Sequence, residues 1–397
     1  MITREAFNSA IAIVLALSLL CSPARALVSL NDGHDHINVI ASAGTSWDSN
    51  VYANREARSD HTVNTSVVAE YTRRAGWIGV NGTVAIDSTR YNVFKSENFN
   101  NPRFNVEFTK QTGRTTGSLT LAAARQSRAD AAVNVRSTSW NYNAGFNYKY
   151  RIANLYTLSG HFGYSFIDYV ANSTTFPDLA TYTASVDLIR VFTTERDISL
   201  GYRFRKIETA ENASYDDHAV NAGLSGRLIS GVMGSLRAGY QVRSPHGFLP
   251  FGIPQPKFSS WTASGSATYA LNKRTNFTGS VGKDFSTTAN DVSVDTSTAS
   301  LIADFAYNSH LTLNASVTAG DSRFLGDAGK VIVSLGPPPV LGDSRHDKFL
   351  SANASVAYSL NQHLKASLGY TWFRNWSNSS FADFARETYD FSVSSGW

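Results

Sequence analysis

Side chains change character at every second residue through most of this chain, and no helical window interrupts the pattern. Between 140 and 150 one parity carries Trp140, Tyr142, Ala144, Phe146, Tyr148 and Tyr150, while the other carries Asn141, Asn143, Gly145, Asn147 and Lys149. Between 311 and 319 the sets are Leu311, Leu313, Ala315, Val317 and Ala319 against Thr312, Asn314, Ser316 and Thr318. A strand sends successive side chains to opposite faces, so each segment has one apolar and one wet face. Eighteen such segments fall near 36–48, 61–72, 77–89, 103–110, 116–127, 138–150, 155–168, 180–191, 196–207, 218–228, 232–243, 258–271, 275–286, 296–307, 310–321, 348–360, 363–374 and 387–397. The pattern predicts an all-β chain of antiparallel strands.

The connections sort by parity. Every second link is short: Thr72–Gly76, Gln111–Thr115, Arg151–Asn154, Phe192–Glu195, Ile229–Gly231, Asn272–Arg274, Asn308–Ser309 and Asn361–Gln362. The alternate links are mostly long and polar, as in Ser49–Asp60, Ala129–Ser137, Arg243–Lys257 and Ser322–Asp347. A soluble sandwich has no reason to sort loops this way, whereas an outer-membrane barrel has short periplasmic turns and long extracellular loops. The expectation is a closed antiparallel transmembrane β-barrel of about 18 strands, with both termini periplasmic. Aromatic side chains mark its belts. Tyr71, Tyr148, Tyr150, Tyr269, Tyr307 and Tyr358 fall on the apolar parity beside short turns, and Trp47, Trp140, Trp261 and Trp372 near the long-loop ends. Lys110, Arg125, Lys206 and Lys283 share that parity close to strand ends, where they can snorkel.

The two ends of the chain agree with export. Arg4 precedes an apolar stretch from Ala10 to Leu20, and Ala24-Arg25-Ala26 supplies a small-x-small cleavage site. Residues 1–26 therefore read as a signal peptide, 27–35 as a short periplasmic lead, and 36–397 as the barrel. Cys21 is the one cysteine, and Leu19-Leu20 before it lacks the small residues of a lipobox, so the exported chain needs no disulfide chemistry. At the other end Tyr389, Phe391, Val393 and Trp397 share one face of the last strand. This ending resembles the C-terminal strand of bacterial outer-membrane barrels, which implies recognition by their assembly machinery. Outer-membrane lipid and lipopolysaccharide are the further partners expected of such a barrel.

The polar parity would line the lumen. Basic side chains gather there on adjacent strands: Arg203, Arg205, Arg227, Arg237 and Arg243. The acids Glu70, Asp87, Glu107, Asp187, Asp284, Asp304 and Asp390 lie mainly elsewhere. Opposed walls of this kind would orient hydrated solutes and set selectivity; the alternative is that the charges pair with one another. The longest loop, Ser322–Asp347 with Gly336-Pro-Pro-Pro-Val340, either folds inward as a constriction or caps the barrel. The net charge of +4 is scattered and gives no footprint for nucleic acid. Enzyme chemistry is not expected: His161 has no assignable nucleophile, and His34-Asp35-His36 has no further ligand to complete a metal site. No cofactor is implied.

Tyr358-Ser-Leu-Asn-Gln-His-Leu-Lys-Ala-Ser-Leu-Gly-Tyr370, an Asn/Ser-rich loop and a final Tyr-x-Phe strand, together with Tyr269-Ala-Leu-Asn-Lys-Arg-Thr275, resemble the putative β-barrel porin 2 family. The resemblance implies a passive pore for hydrophilic solutes, or export of polysaccharide, since members are often encoded beside exopolysaccharide loci. A non-conducting structural or adhesive barrel acting through its outer loops is the remaining alternative.

Overall fold

In the computed structural model nineteen strands join in one sheet that closes on itself: eighteen barrel staves and a three-residue strand, Val28–Leu30. The structure describes residues 28–30, 34–74, 76–130, 135–170, 176–209, 214–246, 248–249, 253–254, 256–326, 329–334 and 340–396. The signal peptide 1–26 with Cys21, the segment Gly336–Pro339 and the terminal Trp397 lie outside the described residues.

The staves are β1 (Asp35–Asp48), β2 (Asp60–Arg73), β3 (Gly79–Tyr91), β4 (Phe99–Lys110), β5 (Thr115–Asp130), β6 (Val135–Ala153), β7 (Tyr156–Tyr169), β8 (Leu179–Thr193) and β9 (Arg196–Thr209). The second half comprises β10 (Ser214–Ile229), β11 (Val232–His246), β12 (Phe258–Asn272), β13 (Thr275–Thr287), β14 (Ser293–Ala306), β15 (Leu311–Phe324), β16 (His346–Ser359), β17 (Leu364–Ser377) and β18 (Phe384–Gly396). Each pairs antiparallel with its sequence neighbours, and β1 meets β18 from Ile40↔Gly396 to Asp48↔Thr388. Closure removes the open edges that hydrocarbon would not tolerate. The barrel's first and last staves begin and end on the rim of short turns.

The seam has a local device that the sequence does not announce. β18 covers β1 only down to Ile40, which leaves the lower edge of β1 open. Val28–Leu30 turns back and pairs there, with Val28↔Ile37 and Leu30↔Asp35. The expected lead therefore carries a strand that shields an otherwise bare edge.

Outward faces are apolar and exposed, with Leu200 at 62% and Leu368 at 59%, and cross-strand pairs such as Trp47 and Tyr389 pack at 5.7 Å. This is the lipid-facing belt of a transmembrane barrel. Several staves run beyond the expected ends on the long-loop rim. β5 and β6 extend through Ala129–Asp130 and Val135–Ser137, so the expected loop Ala129–Ser137 is largely strand. The loop after β15 contains its own hairpin, Lys330–Ser334 with Val340–Ser344.

Candidate functional site

The outer end of the β13–β14 hairpin leaves the barrel wall. The β12–β13 ladder stops at Ala263↔Lys283, while the β13–β14 ladder continues to Thr287↔Ser293. Beyond that fork the hairpin contacts the inner faces of β9 to β12. By parity with the lipid-facing Val281, Phe285 should point into the membrane; instead it is 2% exposed, with the Arg243 guanidinium 5.2 Å from its ring centre. Asp295, opposite Phe285, accepts from Ser260 on the inner face of β12 at 2.9 Å and from Lys283 at 2.7 Å. A hairpin that turns inward puts its former lipid face against the lumen wall, which explains all of these contacts.

An arginine–aspartate network clasps it. Arg203 places two nitrogens on Asp284 at 2.8 Å each, and Arg205 reaches the same carboxylate at 3.2 Å and the Phe285 carbonyl at 2.8 Å. Asp217 at the start of β10 accepts from Arg205 at 2.8 and 2.5 Å and from Arg243 at 2.7 and 2.8 Å. Arg243 also donates to the Ser286 carbonyl at 2.9 Å and to the Ser293 hydroxyl at 3.1 Å. Tyr215 donates to the carbonyl of Asp291 at the hairpin tip at 3.1 Å. Arg243 and Asp217 have no exposed side-chain surface, so the pair survives burial only because nearly every donor and lone pair is used. Three guanidinium groups share these two carboxylates, and the Asp291 carboxylate lies beyond them against the Thr209 hydroxyl. Behind the clasp, Val292 and Val294 pack on Phe324, and the Leu325 amide donates to the Ser293 carbonyl at 2.8 Å.

The other expected lumen residues take separate positions. Arg237 pairs with Asp187 at 2.9 Å nearer the middle of the wall. That ion pair lies flat because Gly201 offers no side chain: a Cβ there would collide with the Asp187 Oδ1. Arg227 pairs with Glu195 at 2.8 Å at the short-turn rim, both about half exposed. Asp87 pairs with Arg103 at 3.0 Å, Asp304 accepts from Asn314 at 2.6 Å, and Asp390 lies over Gly369. Glu70 and Glu107 have no ion pair among the described residues. The basic residues thus do not form one wall facing an acidic one; Asp187, Asp217 and Asp284 are interleaved with them. Asp217 is absent from the expected lumen set because the alternation near 218–228 begins one residue after it. Lys283, expected to snorkel toward lipid, is instead held by Asp295.

On the last strand Tyr389 and Phe391 are exposed on the outer face, with Tyr389 4.8 Å from Tyr370, while Val393 on the same parity is buried. Among the described residues no group of three or more His, Cys, Asp or Glu is placed to hold a metal. His34 and His36 lie at the start of β1, and His161 is hydrogen-bonded to Asn147 at 2.8 Å.

No protein-family model matches the sequence, so the likeness to the putative β-barrel porin 2 family rests on its turn residues alone. No curated protein matches it either. Among solved structures, the FrpB iron transporter of Neisseria meningitidis superposes with a TM-score of 0.50 at 10% identity, over 89% of this chain and 63% of that one. The chain therefore spans 63% of that transporter's length. OccAB2 of Acinetobacter baumannii gives 0.48 at 10% identity, covering 93% of this chain and 99% of that one. Pseudomonas aeruginosa OpdK, solved with vanillate, gives 0.47 at 14% identity over 91% of this chain and 99% of that one. At 10% identity the likeness to FrpB is one of barrel fold alone.

Proposed function

We propose that this chain is an outer-membrane channel for small hydrophilic solutes, with its short turns and both ends of the barrel on the periplasmic side. The observation that carries this reading is the inward hairpin. It narrows one sector of the lumen without filling it, while the inner faces of β4 and β6 keep Asn105, Asn143, Asn147 and Lys149 exposed to water. A polar, hydrated lumen with a local constriction is the arrangement through which porins pass and sort solutes. Arg203 and Asp284 form the half-wet end of the clasp and would meet the solute, whereas Arg243 and Asp217 are buried and hold the hairpin.

The last strand, through Tyr389 and Phe391, is the segment proposed to be read by the assembly machinery, and lipid and lipopolysaccharide are the proposed surroundings of the outer belt. Planar-bilayer recording tests the channel itself. Purified, heat-modifiable barrel should give discrete ion currents. Substituting Arg203→Gln together with Arg237→Gln should move the reversal potential in a salt gradient toward cation preference. Absence of any current from correctly folded protein would remove the proposal.

A further inference from the structure

A second group of cations at the short-turn rim has no role in the clasp. A cleft of about 500 Å³ opens on the inner side of the β5–β7 wall and is lined by Arg114, Thr116, Lys149, Arg151, Asn154 and Thr157. Strand parity puts Thr116, Lys149, Arg151 and Thr157 on the lumen face, where Thr116↔Lys149 and Arg151↔Thr157 are direct neighbours. No carboxylate lines the cleft. The side chains of Lys149 and Arg151 are exposed and form no ion pair or hydrogen bond among the described residues.

Arg114 is pre-positioned. It follows Gly113, whose φ of +91° closes the turn after β4, and its Nε and Nη2 donate to the carbonyls of Arg151 and Ile152 at 2.8 and 2.9 Å. Its guanidinium also lies 5.0 Å from the centre of the Tyr150 ring. Tyr150 is on the lipid-facing parity, so these contacts fix Arg114 at the rim, on the edge of the cleft rather than on its inner face. An adjoining cleft of about 510 Å³, across the same turn, adds Arg73 and Arg74. Arg73 of that pair has Asp35 at 3.8 Å. An oxyanion that accepts from several of these exposed donors at once gains charge-assisted hydrogen bonds that water alone does not give them in that geometry.

We propose that Arg114, Lys149 and Arg151, with the Thr116 and Thr157 hydroxyls, form an oxyanion-binding station at the periplasmic mouth of the lumen. The solute it takes is a small carboxylate or phosphate in transit. The inward parity of Lys149 and Arg151 favours a dissolved anion over a lipid headgroup, which would require outward-facing donors. This inference rests on the channel reading for its biological meaning, and binding at the station stands independently of conduction.

The test uses the full exported chain, folded in a phospholipid-free detergent, and its Lys149→Gln/Arg151→Gln variant, with folding checked by gel heat-modifiability. Citrate and inorganic phosphate are titrated separately by calorimetry, and both are added to each side of a planar bilayer. The wild type should bind at least one of them, with affinity falling as salt rises, and the variant should bind about tenfold more weakly. Binding of citrate marks a carboxylate station and binding of phosphate a phosphate one. In the bilayer, block should be stronger from the short-turn side. Absence of binding by both anions, or equal binding by the variant, would overturn the station even if current flows. Binding lost in the variant from a barrel that carries no current would uphold the station while refuting the channel.

Discussion

If the Arg243 clasp holds the β13–β14 hairpin inside the lumen, replacing Arg243 with methionine should release it while leaving the barrel closed. Arg243 is fully buried and joins the hairpin through the Ser286 carbonyl at 2.9 Å, the Ser293 hydroxyl at 3.1 Å and the Thr287 hydroxyl at 3.3 Å. Hydrogen bonds from a charged donor contribute about 1.5–3 kcal/mol each, which puts the two shorter ones together at roughly 3–6 kcal/mol. Methionine keeps much of the packing on Tyr215 and Phe285. Asp217 keeps Arg205 on its Oδ2 at 2.8 and 2.5 Å, but its buried Oδ1 loses the Arg243 Nε donor at 2.7 Å, which adds to the loss. Remaining contacts, notably Arg203 and Arg205 to Asp284, still tether the hairpin, so the low end of the range, about 3 kcal/mol, is the figure to expect. That corresponds to about a hundredfold increase in local opening. Hydrogen exchange by mass spectrometry in detergent reads it directly: peptides covering 284–296 should exchange about a hundredfold faster, with β16 and β17 unchanged. Unchanged protection of 284–296 would refute the clasp, as would uniform acceleration across the barrel, which would mean that Arg243 supports global stability instead.

Three further outcomes follow from the same geometry. Gly201→Val places methyl groups where the Asp187 carboxylate now lies, so Asp187 should lose Arg237; the expected readouts are a lower urea midpoint and a shifted reversal potential, with an unshifted potential counting against a permeation role for that pair. Leu301→Arg puts a charge on the lipid face near mid-strand and should cost about 2–4 kcal/mol of barrel stability in lipid refolding, whereas Thr298→Arg on the lumen parity should cost little. Equal effects of the two would contradict the assigned faces. Deleting the lead through Leu30 should bare the lower edge of β1 and raise self-association measured by light scattering, with no change expected in the number of staves.

How much of this is legible in the chain depends on which force leaves a periodic trace. Burial against lipid on one side and water on the other imposes strict period two, so segments such as 140–150 and 311–319 disclose their faces, and the loop-length sorting discloses closure. Past the belt that constraint lapses. The outer ends of β10, β14 and β16 pack on other side chains of the protein rather than on lipid, so Ser214–Asp217, Ser293–Asp295 and His346–Asp347 keep no membrane-type alternation and fall outside the expected strands. Asp217 escapes notice for that reason, and with it the acid at the centre of the clasp. The inward turn of β13–β14 is equally hidden, because Lys283 and Phe285 keep the parity of lipid-facing residues while the strand under them changes sides. A Lys–Asp pair at 283 and 295, on what should be a membrane face, is the one hint in the sequence. The loop 322–347 draws attention by its length, yet among the described residues the clasped constriction belongs to the shorter connection after Thr287.

Whether this hairpin narrows a conducting lumen is tested most directly by single-channel recording of a variant in which residues 285–295 are replaced by a two-residue Asn-Gly turn. The expected result is a folded barrel whose unit conductance rises severalfold over the wild type and whose ion selectivity weakens, since the obstruction is gone and Asp284 is no longer held against Arg203 and Arg205 by the inward turn. A folded variant with wild-type conductance and wild-type selectivity would contradict a constricting role for the hairpin.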